Sequence, residues 1–412
     1  MNFKSKFLQE FEQRGFLAQC THAKELDEIF AKEKITAYIG FDCTATSLHV
    51  GSLIQIMILR LLQKHGHRPL VLLGGGTTKI GDPSGKDEAR NMLDENKIAQ
   101  NLSGIKKSLE QFISFDESPS GGVLVNNNDW LKDLNYIDFL RDIGRHFSVN
   151  RMLSFDSVKL RLEREQPLSF LEFNYMILQA YDFYELNQKH NCRLQLGGSD
   201  QWGNIVNGVE LTRRLAVAND DKNKSREVFG LTSPLLTTAD GKKMGKTADG
   251  AVWLDQAMLS PFDYFQYFRN THDADVIKFL KLFTDLDLGE IENLAQLKDQ
   301  EINQAKEILA FEATKICHGD LAANEALQKA REIFISKNAN AFEVKKIQAV
   351  GKKLIEVIKE IGAVESNGEA KRLIEGKAVR VNGETVLDAN FVVVDGEFEL
   401  SVGKKRFFKI VQ

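Results

Sequence analysis

A chain of 412 residues, 43% hydrophobic and 27% charged, is long enough for about two to four ordinary soluble domains and needs no covalent staples. Its formal net charge of -4 excludes a globally basic nucleic-acid binder, so any basic face must be local. Cys20, Cys43, Cys192 and Cys317 stand far apart with no C-x-x-C pair, which argues against a disulfide framework or a zinc site and suits a reducing cytosol.

In chain order, residues 1–6 mix charge early and give no signal-peptide run, and no later stretch approaches about twenty apolar residues, so a cytoplasmic protein without a membrane span is expected. Residues 36–41 predict a strand. Residues 48–64 predict a helix, with Ile54, Met57, Ile58, Leu61 and Leu62 at helical spacing. The apolar run 69–73 stops at Gly74-Gly75-Gly76. Between 125 and 190, aromatics, Arg and Asp recur at helical spacing, over 130–152 and 170–186. This predicts a helical insertion partly built for contact with another subunit, although periodicity alone fits plain core helices equally well. Arg193-Leu194-Gln195-Leu196 ends at Gly197-Gly198, and a helical pattern resumes near Trp202. Strand, Gly-rich turn, helix, strand is the grammar of a parallel α/β sheet, in which ligands sit beyond the carboxyl ends of the strands. Residues 220–226 are a polar run, expected as an exposed loop. Ser260-Pro261 opens a helix-rich stretch reaching about 345. Residues 369–374 then predict a helix, Asn382-Gly383 a hairpin turn, and 391–394 and 407–411 strands.

Three clusters carry chemistry. The first runs from Tyr38 to Ser52: a strand end, a polar turn and a helix start with His49-x-Gly51. Free N–H groups and the dipole at a helix start favour phosphate, and His49 and Thr44 can donate to its oxygens. A helix cap followed by a solvated histidine would look the same. The second is Asp240-Gly241-Lys242-Lys243-Met244-Gly245-Lys246-Thr247, which reads alone as a basic surface turn. With the first cluster it makes a second phosphate-grasping element, suited to activating ATP. The third is Tyr175, Gln179 and Asp182, spaced four and three apart on one helix face. This is either a satisfied buried polar network or a cage for a zwitterion with a polar tail.

The first two clusters resemble the His-Ile-Gly-His and Lys-Met-Ser-Lys-Ser signatures of class I aminoacyl-tRNA synthetases. Here Ser52 replaces the second His, and Gly245 and Thr247 replace the two serines. Residues 174–182, 195–204 and 81–86 with Arg90 resemble bacterial tyrosyl-tRNA synthetases, and the resemblance spans nearly the whole chain. It implies an α/β fold: a Rossmann-like parallel-sheet catalytic domain over 1–235 with its helical insertion at about 125–190, a mobile Lys-rich loop over 236–250, an α-helical tRNA-binding domain over 251–345, and a small α+β S4-like RNA-binding domain over 346–412. By residue, it implies that Tyr38 and Asp182 bind the substrate phenol, that Asp82, Tyr175 and Gln179 bind its ammonium group, and that Gln201 lies by its carboxylate. Gly198 and Asp200 would lie by the adenosine ribose, His49 and Thr44 would bind the phosphates, and Gly40, Asp42, Gly51 and Ser52 would make further nucleotide contacts. Lys243, Lys246 and Thr247 would close over pyrophosphate, with Lys86 and Arg90 as mobile helpers. Lys371, Arg372, Lys404, Lys405 and Arg406 would touch the RNA backbone.

The activity implied is ATP-dependent formation of tyrosyl-adenylate and transfer to the 3′ end of tRNA(Tyr), by a homodimer with L-tyrosine and Mg-ATP as substrates and no tightly bound cofactor or structural metal. The rivals are the tryptophan enzyme of the same class, which the polar pair Tyr38 and Asp182 fits less well, and a synthetase-derived RNA-binding protein, which the retained His49, Lys243 and Lys246 oppose. A Rossmann oxidoreductase lacks its G-x-G-x-x-G after the first strand.

Overall fold

The computed structural model describes residues 2–83, 93–218, 227–237, 244, 246–247, 250–340, 342–403 and 406–411. Lys86, Arg90, Lys243, Lys404, Lys405 and the polar run 220–226 lie outside them, as do the side chains of Lys246 and Thr247. The chain divides into two units, Met1–Ala326 and Leu327–Gln412.

The first unit opens with α1 (Lys6–Gln13), β1 (Gln19–Cys20), α2 (Ala23–Lys32), β2 (Thr36–Phe41), α3 (Leu53–Lys64), β3 (Arg68–Leu73), α4 (Glu95–Glu110) and β4 (Val123–Asn126). The expected insertion follows as α5 (Asn128–Leu131), α6 (Tyr136–Asp142), α7 (Val149–Leu153), α8 (Asp156–Glu163) and α9 (Phe170–His190). Then come β5 (Cys192–Gly198), α10 (Trp202–Ala218), β6 (Phe229–Ser233) and a short hairpin, β7 (Lys246–Thr247) with β8 (Gly250–Ala251). Helices α11 (Pro261–Arg269), α12 (Val276–Phe283), α13 (Leu288–Leu294) and α14 (Ile302–Asn340) complete the helix-rich stretch.

Among the described residues the main sheet runs β1-β6-β5-β2-β3-β4, parallel except for β1 against β6. Both faces of a parallel sheet are covered, so β3 is a near-continuous buried apolar run, and β5 is buried throughout even at Arg193 and Gln195. Helix α3 is buried almost all round, as its eight Leu, Ile and Met residues demand, with Gln55, Arg60, Gln63 and Lys64 at its less buried positions. It starts at Leu53 rather than 48, because Val50–Ser52 first make a tight 3-10 turn capped by His49. Helix α9 is framed by a reciprocal Ser169–Glu172 capping box and a left-handed Asn191 at its end. Arg14 is buried and donates to the carbonyls of Lys281, Thr284 and Leu286, tying α1 to the end of α12.

The strand order reverses between β2 and β5, and their pairing stops at Tyr38↔Gln195. Beyond that pair the two strands part, which opens a crevice at the switch point where such sheets bind ligands.

The second unit has its own core, built from Leu354, Val357, Ile374, Val379, Leu400 and Ile410 among others. Helices α15 (Leu354–Glu360) and α16 (Asn367–Glu375) accompany β9 (Phe342–Lys346), β10 (Val379–Val381), β11 (Glu384–Thr385), β12 (Phe398–Val402) and β13 (Arg406–Val411), ordered β11-β10-β12-β13-β9. Asn382-Gly383 makes the expected hairpin turn, with both residues at positive φ. Two readings change. Strand β9 lies in a stretch expected to be helical, where it pairs in parallel with β13. Residues 391–394 form only a single bridge, Val392 to Lys353, because their backbone bonds go to the turn at 351–354 (Gly351 N to Val393 O, Val393 N to Lys352 O, Leu354 N to Phe391 O) rather than to a strand.

Candidate active site

One cleft of about 530 Å³ lies at the switch point. Tyr38, Gly40, Asp42, Thr44, His49, Gly51, Ser52, Asp82, Tyr175, Gln179, Asp182, Gly198, Asp200 and Gln201 all line it, so residues up to 163 positions apart in the sequence meet in one place. The side chains described for the expected substrate sites of the first unit are gathered there.

The closed end is built around Asp182, which is 1% exposed on α9. Its carboxylate accepts from Asn127 Nδ2 at 2.9 Å and Trp130 Nε1 at 2.8 Å. Burial raises its pKa to about 7 against these two donors, with the charges of Asp42 and Glu185 adding to the rise. The Tyr38 hydroxyl, on β2, is buried and has no hydrogen-bond partner within the protein. Burial, and then the Asp182 charge beside it, push its phenol well above the usual range. Gln179 Oε1 and Gln195 Oε1 are likewise buried without partners. Orphaned polar atoms are costly in a folded interior. Their concentration in the wall of one cleft marks a place that a polar ligand completes.

Nearer the mouth, Gln201 Nε2 donates to Asp82 at 2.9 Å, and its Oε1 accepts from Asn204 at 3.1 Å. Tyr175 donates to Asp42 at 3.2 Å, and Thr77 reaches the same oxygen at 3.4 Å. Asp42, expected among the nucleotide contacts, is thus held against the helix that carries Tyr175.

At the other end the His49 ring is fixed from two sides. The Gly51 N–H donates to its Nδ1 at 2.9 Å, which leaves the ring proton on Nε2. The Trp253 ring packs edge-on at 6.0 Å. Residues 48–50 pair with 252–254 through Val50 N to Val252 O and Leu254 N to Leu48 O. The segment that follows the Lys-rich loop therefore holds the histidine turn. Gly51 is required here: an added Cβ would stand 2.5 Å from His49 Cε1 and 3.2 Å from the Met244 carbonyl oxygen. Met244, in that loop, lines the cleft and donates its backbone N–H to Leu236 O.

In the second unit, Lys371 and Arg372 are exposed on α16, and Lys371 approaches Glu375 at 3.8 Å. Arg406 donates to the Ala363 carbonyl, so part of its role is within the fold. Among the described residues, no three His, Cys, Asp or Glu side chains gather into a metal cage.

Sequence reasoning missed Asn127, Trp130 and Gln195. Asn127 immediately follows β4, so the rule that placed the other candidates at strand ends applied to it too. Gln195 stood at the head of the 195–204 segment without being given a role, and Trp130 carried no comparable signal.

A family model described as tRNA synthetases class I (W and Y) matches residues 31–335, and an S4 domain model matches residues 352–398. The tyrosine–tRNA ligase of Wolbachia pipientis subsp. Culex pipiens (strain wPip) is 56% identical over 422 aligned positions, covering 100% of this chain and 99% of that one. That of Zymomonas mobilis subsp. mobilis is 58% identical over 406 positions, covering 98% and 97%. Among solved structures, a C-terminally truncated mitochondrial tyrosyl-tRNA synthetase of Aspergillus nidulans superposes with a TM-score of 0.72 at 32% identity, covering 80% of this chain and 94% of that one.

Proposed function

The chain belongs to the class I tRNA synthetases for tryptophan and tyrosine, and we infer that it joins L-tyrosine to tRNA(Tyr) at the expense of ATP. The observation that carries the choice of amino acid is the Tyr38 hydroxyl, buried without a partner beside the Asp182 carboxylate. A phenol supplies one donor and one acceptor and completes both groups. The benzyl ring of phenylalanine supplies neither: it leaves the Tyr38 hydroxyl buried and unpaired and gives Asp182 no donor beyond Asn127 and Trp130.

The reaction has two steps. A tyrosine carboxylate oxygen attacks the α-phosphorus of Mg-ATP in line, forming the acyl–phosphate bond as the bond to pyrophosphate breaks. The 3′-terminal ribose hydroxyl of the tRNA then attacks the acyl carbon, and AMP leaves. The substrates bring both nucleophiles, so the protein's part is positioning and charge stabilisation. Asp82, Tyr175, Gln179 and Gln201 orient the amino acid's charged end. Thr44 and the Nε2–H of His49 meet the phosphates, and Gly198 and Asp200 meet the ribose. Lys243, Lys246 and Thr247 take up charge on the departing pyrophosphate, helped by Lys86 and Arg90. The magnesium arrives on the ATP phosphates.

The working form is a homodimer. An apolar groove of about 360 Å³ is lined by Leu131, Tyr136, Phe139, Leu140, Phe170 and Leu171 among others, and Tyr136 and Phe170 are 59% and 70% exposed. Apolar patches of this kind mark association surfaces, and a second copy is the occupant the helical insertion was expected to meet. Amino-acid-dependent ATP–pyrophosphate exchange with tyrosine, tryptophan and phenylalanine tests the reading. Exchange should run with tyrosine alone, and equal exchange with either rival would overturn it.

A further inference from the structure

Helix α4 buries Ile98, Asn101, Ile105, Ser108 and Leu109. A face made only for packing would be apolar throughout. Here Asn101 is 0% exposed and Ser108 1% exposed, and Gly104 lies between them. Each grips the turn that precedes His49. Asn101 Nδ2 donates to the Cys43 carbonyl at 2.7 Å. Gly104 lies so close to Thr46 that an added Cβ would stand 1.9 Å from its carbonyl oxygen. Ser108 Oγ, which donates to the Gly104 carbonyl at 3.1 Å, stands 3.3 Å from Ser47 Oγ, which donates to the Leu48 carbonyl at 2.8 Å and accepts from the Asp255 N–H at 3.2 Å.

This face costs stability. Glycine and asparagine are poor residues for a helix interior. Asn101 Oδ1 is buried with no partner in the protein, an unpaired acceptor that folding alone would select against. What the arrangement secures is the path of the chain at Cys43, Thr46 and Ser47, on either side of Thr44 and immediately before His49. The neighbouring α4 residue Ile105 lines the cleft itself.

We propose that α4 is a clamp that sets the phosphate-binding turn, with Asn101 as a positioning residue acting through the Cys43 carbonyl and Thr44 on the phosphates of ATP. The proposal rests on the nucleotide reading above. It separates the two ends of the cleft: the tyrosine end is built by β2, α5 and α9, whereas α4 holds the turn.

The test compares Asn101→Leu, which keeps the number and branching of the side-chain heavy atoms and removes the donor, with Ser108→Ala, a milder change that leaves the helix its shape. Tyrosine affinity is measured by fluorescence titration without ATP, and adenylate formation by single-turnover pyrophosphate release at saturating substrates. The expected result for Asn101→Leu is a tyrosine Kd within about twofold of wild type and adenylate formation slowed about tenfold or more. Ser108→Ala should slow it about threefold with the same unchanged Kd. Wild-type adenylate formation in either folded variant overturns the proposal. So does a loss of tyrosine affinity in proportion to the loss of rate, which would mark a general structural effect. Failure of the wild type to release pyrophosphate with tyrosine would instead sink the parent reading.

Discussion

Asn127 donates from Nδ2 to the Asp182 carboxylate at 2.9 Å, while its own Oδ1 accepts the Gly76 N–H at 2.8 Å. One amide thus ties the Gly-rich turn after β3 to the helix that carries the carboxylate proposed to meet the phenol. Its second Nδ2 hydrogen goes to Thr77 Oγ1 at 2.9 Å, so the amide cannot rotate without losing several bonds. Asn127→Ala removes a hydrogen bond to a charged group, an effect of about 1.5–3 kcal/mol. Tyrosine affinity should fall roughly tenfold to a hundredfold, and the preference for tyrosine over phenylalanine should narrow. KM for ATP should stay near wild type. Unchanged discrimination in this variant would show that Asp182 needs no such support.

The raised pKa of Asp182, about 7, makes tyrosine binding sensitive to pH in the physiological range. The ionised carboxylate is the stronger acceptor for a phenol hydrogen, and protonation as pH falls through about 7 weakens that bond. Tyrosine affinity should therefore be highest above pH 8 and decline as pH falls through about 7. The sign for folding is opposite to that of a salt-bridged carboxylate. Because the folded pKa lies above the unfolded one, near 3.9, the contribution of Asp182 to stability is fully present below about pH 4 and is lost as pH rises through about 7. Asp182→Asn should abolish the pH dependence of binding. Titrations at several pH values decide it, and a profile unchanged in that variant would assign the titration elsewhere.

His49 spends Nδ1 on the Gly51 N–H, so Nε2 is the donor it can offer a phosphate. His49→Ala should slow tyrosine-dependent ATP–pyrophosphate exchange by about tenfold to a thousandfold with little change in tyrosine Kd, as expected for one or two donors that act mainly in the transition state. Gly51→Ala should do similar damage, because the new methyl group collides with the His49 ring. A Gly51→Ala variant with normal exchange would show that the ring can move without cost.

What was legible in the sequence was what repeats or punctuates. The apolar run of α3, the strand end at Tyr38, the Gly-Gly end of β5 and the shared face of Tyr175, Gln179 and Asp182 follow from spacing and turn chemistry, and they carried the catalytic fold and most of the cleft. What was hidden depends on pairing across long distances. Nothing local marks Phe342–Lys346 as a strand, because its partner is β13 at the end of the chain. Trp130 looks like a core aromatic until Asp182 is seen to accept its ring N–H. The polar face of α4 is likewise unreadable without the turn it holds.

The independence of the second unit gives the last prediction. Its core is made from its own helices and strands, and its sheet includes β9, which begins at Phe342. A chain ending near residue 340 therefore removes that sheet whole and leaves no orphaned strand. The cleft, lined wholly by residues between 38 and 244, keeps every wall. Tyrosine-dependent ATP–pyrophosphate exchange should thus stay within about twofold of the full chain, since no group that stabilises the transition state is touched. Charging of tRNA should fall at least about a hundredfold if the lost unit supplies several backbone contacts, and in the full chain it should weaken steeply with added salt, as phosphate contacts do. Charge reversal at Lys371 and Arg372 in the full chain should lower charging in the same direction but by less, because Lys404, Lys405 and Arg406 remain. Full charging by the truncated protein would place tRNA recognition entirely in the first unit.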